Sequence, residues 1–125
     1  MRHAQDWFRQ AELDLAVARH NQGGGYHDWA CFAAQQAAEK ALKGCLLTRN
    51  ERSRSSSVVE LLRGFGELPG EVLDAGKALD KHYMLARYPN CHPAGAPADL
   101  YMSSEAQRAI SDAERIIAYV RRRLS

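Results

Sequence analysis

Around residues 26 to 48 the chain reads YHDWACFAAQQAAEKALKGCLL, a run that holds no proline and keeps its smallest side chains in step. Ala30, Ala34, Ala37 and Ala41 recur at intervals of four, three and four, which puts them on one stripe of an α-helix. Leu42 and Leu46 extend an adjoining apolar strip. A stripe of alanine buries little area by itself, but it lets a second helix approach closely, so the segment specifies a packed helical pair. That requirement constrains the fold more than any other feature of the sequence.

The flanking segments supply partners. Residues 3 to 20 place Trp7, Ala11, Leu15 and Ala18 on one face and Arg9, Glu12 and Arg19 elsewhere, the pattern of an amphipathic helix. Gly23, Gly24 and Gly25 then stop it, because three residues without Cβ make continued helix costly. After the second helix, TRNERSRSSS is a polar loop whose serines compete for backbone hydrogen bonds. Ser56 or Ser57 caps a short helix, VVELLRGF. GELPGE makes a turn, and a fourth helix over about 71 to 86 carries Val72, Leu73, Leu79, Tyr83 and Leu85. Pro89, Pro93 and Pro97 forbid regular helix immediately afterwards. The last helix runs from Ser103 or Ser104 to about 124, with Ser104 and Gln107 at capping-box spacing and Ala109, Ile110, Ala113, Ile116, Ile117 and Val120 on its apolar face.

No window alternates with period two, so no strand is expected. The chain should be all-α, an antiparallel bundle of four longer helices plus one short one, forming a single domain over residues 1 to 125. An apolar content of 46% suffices for one modest core. Seventeen Lys and Arg against fifteen Asp and Glu leave a formal charge of +2, without the basic excess of a dedicated duplex-binding module. Cys31, Cys45 and Cys91 are odd in number and hold no CxxC, which argues against a disulfide framework or a zinc knuckle and suits a reducing cytoplasm. No apolar h-region and no run of eighteen apolar residues is present, so neither secretion nor membrane insertion is expected.

One stretch does not serve the bundle. Residues 87 to 102 form a long, proline-rich connection that opens with RYPNCH. Loops of this length usually act or move. Arg87 offers a permanently charged planar fork that matches phosphate oxygens, and His92 can take and return a proton near neutral pH. Together they could clamp a scissile phosphate and activate a ribose 2′-hydroxyl, which is RNA cleavage without metal and ends in a cyclic phosphate. DNA lacks that nucleophile. The plainer reading is the polar end of a helix running into proline. His82, one turn before Ala86, could join such a site or simply face solvent, and Tyr88 stands beside the arginine. Cys91, His92 and His82 lack a fourth ligand at metal spacing, so no metal and no cofactor are expected. The glycine triplet follows no strand and precedes no GK[ST], so it is not a phosphate loop. Glu39 and Lys43 have the order of an ordinary ion pair along a helix, and Arg121, Arg122 and Arg123 complement the dipole of the last helix. Trp7, Phe8, Trp29 and Phe32 at helical spacing suit a core or a pairing surface and are not expected to be stacking platforms.

The order of pieces also resembles a known family. AAQQAAEKALKGCLL, then SVVELLRGF, LARYP and DLYMSSEAQRAISDAERIIAYV are similar to the bacterial and archaeal HEPN domains, and WFRQAELDLA with GGGYHDWACFAAQQAAEKALK extends the likeness to the first helix. The resemblance implies a helical bundle that pairs as a homodimer and is usually encoded beside a minimal nucleotidyltransferase. It further implies a metal-independent, toxin-type endoribonuclease with an Arg and a His four to six residues apart at the dimer cleft, which Arg87 and His92 satisfy with four residues between them. The alternative it implies is a non-catalytic module that binds a nucleotide, through Arg87, Tyr88 and His82, or docks a nucleotidyltransferase partner.

Overall fold

The computed structural model describes residues 2–124, and every regular element among them is helical. The four longer helices are α1 (Arg2–Gly23), α2 (His27–Leu47), α4 (Gly70–Asp80) and α7 (Ser103–Leu124); the shorter ones are α3 (Val58–Leu62), α5 (His82–Leu85) and α6 (Pro97–Leu100). The all-α bundle expected from periodicity is therefore the fold, with extra short turns in the connections.

Helix α2 is the central element. Ala30, Ala34 and Ala37 have no exposure and Ala41 almost none, while Leu42, Leu46, Cys31 and Cys45 fill the layers between them. Against this stripe lie Ala11, Leu15 and Ala18 of α1 and Ala109, Ala113, Ile116 and Val120 of α7, with Val72, Leu79, Leu61, Leu62 and Phe65 closing the core on the far side. Close approach has a visible cause at Gly44. A Cβ there would stand 2.6 Å from Phe8 Cε1 and 3.1 Å from Trp7 Cβ, so α1 reaches α2 only because that position has no side chain. Ion pairs between helices reveal their directions. Lys40 meets Asp14 at 2.5 Å, Arg19 meets Glu114 at 2.5 Å and Arg121 meets Glu12, so position numbers rise along α7 as they fall along α1, and the two are antiparallel.

The helix ends obey local rules. Tyr26 N–H donates to Asn21 and Gly25 N–H to Gln22, with Gly25 at φ +85°, a Schellman stop. Helix α2 ends the same way with Asn50 at φ +59°, its neighbour Glu51 donating back to Leu46. Ser57, one of the two serines expected, caps α3 by accepting from Glu60 N–H at 3.1 Å. The capping-box reading of Ser104 and Gln107 is corrected by a shift toward the N-terminus. Met102 is the capping residue, because its carbonyl takes the first helical bond and its N–H donates to the Glu105 carboxylate at 2.9 Å. Methionine has no capping oxygen of its own, which is why the signal was misplaced. The helix expected over 71 to 86 is interrupted at Lys81 into α4 and α5. Pro97 opens a single helical turn instead of forbidding one, since the first helical position needs no N–H.

Candidate functional site

Arg87 follows the last turn of α5, its N–H donating to the Met84 carbonyl. Its side chain turns back onto the helix, where Nε donates to the Tyr83 carbonyl at 2.7 Å. The guanidinium carbon lies 4.3 Å from the ring centre of Phe32, 4.5 Å from that of Tyr83 and 5.1 Å from that of Tyr88. Phe32 in turn packs on Trp29 at 5.9 Å and on Tyr83 at 6.2 Å. Arg87 is thus held by faces of aromatic rings and by its own helix, with no carboxylate partner among the described residues. Cation–π contact and one backbone bond fix the plane without neutralising the charge.

Tyr88 is extended, Pro89–Cys91 makes one 3₁₀ turn, and His92 returns to extended backbone. The turn delivers the imidazole to the end of α5, where His92 Nε2 donates to the Leu85 carbonyl at 2.6 Å. A carbonyl can only accept, so in the neutral ring Nε2 carries the proton and Nδ1 carries the lone pair. No other described residue hydrogen-bonds to Nδ1, and the His92 ring is only partly buried. Both side chains are half-buried and anchored to carbonyls of one short helix, though no hydrogen bond or ring contact joins them to each other among the described residues.

His82, the first residue of the same short helix, has a different partner. Its Nδ1 is hydrogen-bonded to the Tyr101 hydroxyl at 2.8 Å, and the two rings lie 5.4 Å apart. Burial lowers its pKa, against the opposing pull of the Glu105 carboxylate and with the help of Lys81. Burial likewise raises Tyr101 out of its ordinary range and pushes the Cys31 thiol up to about 12, with Glu105 and Asp28 adding to both. His82 and Tyr101 thus tie α5 to the residue that ends α6, with the buried Cys31 of α2 near enough to act on the phenol. Of the four residues singled out from sequence, Arg87 and Tyr88 come into contact, His92 is fixed beneath the same helix, and His82 is bonded to Tyr101.

Three residues to which the sequence assigned no part in a site shape the region. Phe32 and Tyr83 form the platform for Arg87, and only the i, i+4 spacing of Tyr83 and Arg87 could have hinted at it. Asp80 closes the junction of α3 and α4, accepting from the Ser57 hydroxyl at 2.8 Å, Val58 N–H at 2.7 Å and Val59 N–H at 3.0 Å. No group of three or more His, Cys, Asp or Glu among the described residues is placed to hold a metal, and none of the described helices is long and apolar enough to cross a membrane.

With this architecture in place, the HEPN domain family model matches residues 4–123. The chain belongs to the HEPN family. The HEPN chain is similar to the crystal structure of TT1696 from Thermus thermophilus, at 42% identity and TM-score 0.94 over 98% of both chains. It is similar also to ST0689, described as an archaeal HEPN homologue, at 38% identity and TM-score 0.86 over 98% of both. A HEPN domain protein, TM0613 from Thermotoga maritima, matches at 33% identity and TM-score 0.78, over 95% of this chain and 97% of that one. No curated protein matches the sequence.

Proposed function

We propose that this HEPN protein is a metal-independent endoribonuclease of toxin type that works as a homodimer in the cytoplasm. Arg87 holds the scissile phosphate and His92 handles the proton. The observation that carries the reading is the way His92 is held: the bond from Nε2 to Leu85 leaves Nδ1, without a partner among the described residues, as the lone base position of a half-buried ring. A base in that state can take the proton of a ribose 2′-hydroxyl, and the resulting alkoxide attacks the adjacent phosphorus as the 5′-oxygen leaves and takes up a proton from the imidazolium or from water, giving a 2′,3′-cyclic phosphate and a 5′-hydroxyl. Arg87, charged and without an acidic partner among the described residues, offers the outer edge of its guanidinium to the phosphate oxygens as charge builds on them.

Pairing is supported by what surrounds Arg87. Val17 and Trp29 are each about half exposed, and with Phe32 and Ala33 they line an open groove between α1 and α2. Phe32 is also one wall of the Arg87 platform, so a second copy seated on this surface would bring its own arginine toward the same cleft. The test is incubation with single-stranded RNA in the presence of chelator. Fragments ending in cyclic phosphate are expected, an all-deoxy strand should stay whole, and cutting that survives in His92→Ala refutes the assignment.

A second reading has its own support. Both side chains spend a hydrogen bond on α5, as residues of a rigid docking surface would. In that reading the protein is a non-catalytic module that binds a nucleotide or a minimal nucleotidyltransferase. Intact RNA together with saturable capture of the product of a neighbouring nucleotidyltransferase gene would favour it.

A further inference from the structure

Well away from Arg87, a cleft of about 340 Å³ opens between the start of α1, the last turns of α2 and the loop that follows, lined by Trp7, Lys43, Leu47, Arg52, Ser53 and Arg54. Lys43 lies eleven positions beyond Phe32 on the same face of α2, roughly 16 Å along the axis at 1.5 Å per residue. Three cations therefore converge on a site that shares no residue with the arginine and histidine described above.

The loop is built to hold that arrangement. Gln35, fully buried in α2, donates from Nε2 to the Ser56 carbonyl at 2.8 Å. Ser55 N–H donates to Ser53 Oγ, and Ser57 N–H to Ser55 Oγ. At the other end Arg49 reaches the Gly64 carbonyl at 2.7 Å and pairs with Glu51 at 3.3 Å. Arg52 and Arg54, fixed between these anchors, are exposed and make no ion pair or hydrogen bond with another described residue. Lys43 has one carboxylate, Glu39, at 3.1 Å, and its ammonium stands 5.6 Å from the Trp7 ring. The lining thus combines an excess of positive charge with a flat aromatic and an aliphatic surface from Trp7 and Leu47. Cations alone would suit any anion. Cations beside an indole suit an anion joined to a planar ring.

We propose that this cleft binds a nucleotide unit, its phosphate on Arg52, Arg54 and Lys43 and its base against Trp7 and Leu47. Arg52 and Arg54 supply charged forks for the phosphate oxygens, and the Ser53 hydroxyl, which already accepts from Ser55, still has its own proton to donate. The volume fits one nucleotide, either free or as one residue of a strand.

Fluorescence titration of the full-length chain tests this directly. A Trp29→Phe variant leaves Trp7 as its single indole, and ATP and a short single-stranded RNA serve as two separate probes. Saturable quenching by ATP assigns a free nucleotide, and quenching by RNA alone assigns a residue of a strand. In either case Arg52→Ala with Arg54→Ala should weaken binding about tenfold or more, with an unchanged thermal melt, since both side chains project into solvent. Binding by RNA should also fall with added salt, less steeply in the double variant. Absence of saturable quenching by both probes, or binding that the double variant leaves intact, overturns the proposal. The titration requires no strand cleavage, so it stands or falls separately from the nuclease reading.

Discussion

At the scale of single residues, His92 has two duties that mutation can separate. Its bond to Leu85 pins the loop, and its Nδ1 is the proposed base. His92→Ala should lower stability by about 1 kcal/mol, the usual worth of one such bond, and abolish cutting altogether. A thermal melt, beside an RNA assay run well below the melting temperature, reads both. Arg87→Lys should keep the charge and lose the anchoring, because an ammonium has no Nε to donate to the Tyr83 carbonyl and no planar group to set among the three rings, so cutting should drop by about tenfold or more. His82 carries the pH dependence. Its pKa in the folded chain is below the ordinary 6.5, so below that pH the unfolded chain takes up the proton first. Stability present at neutral pH should therefore decline as pH falls through 6.5 toward the depressed value. Denaturant melts at about pH 7 and about pH 5 should show that loss, and His82→Gln should reduce it.

At the scale of elements, the molecule depends on where helices stop and how near they come. Gly44→Ala would force a methyl against Phe8 and Trp7, costing about 1 to 3 kcal/mol, and a lowered melting temperature with unchanged helical content at low temperature would confirm it. Asp80→Ala would strip two backbone N–H groups and the Ser57 hydroxyl of their acceptor. A loss of about 2 to 3 kcal/mol in denaturant melts is expected. Several of these features could be read from the residues themselves. The glycine stop after α1 and the serine cap of α3 follow from local chemistry, and both are present. The cap of α7 was less legible, because a carboxylate three positions on supplies the acceptor while the capping residue is a methionine. Asp80 was not legible at all, since its partners lie more than twenty residues away in sequence.

At the scale of the whole molecule, the alanine stripe of α2 organises everything else. It brings α1 and α7 against one central helix and leaves the other face of α2 with Trp29, Phe32 and Lys43 along it. The homodimer reading places its interface at the aromatic end of that face. Trp29→Asp should then shift the protein toward monomer in analytical ultracentrifugation while leaving helical content unchanged, because Trp29 is 49% exposed in the single chain. An unaltered assembly state would move the interface elsewhere.

Periodicity, the small-residue stripe and the helix stops were enough to specify an all-α bundle, because they act between residues at most a turn or two apart. The placement of Arg87 on Phe32, of His92 under Leu85, and of Lys43 beside Arg52 and Arg54 was decided only when the helices packed. Contacts of that kind depend on the position and rotation of one helix against another, which side-chain packing sets and no short window of sequence contains.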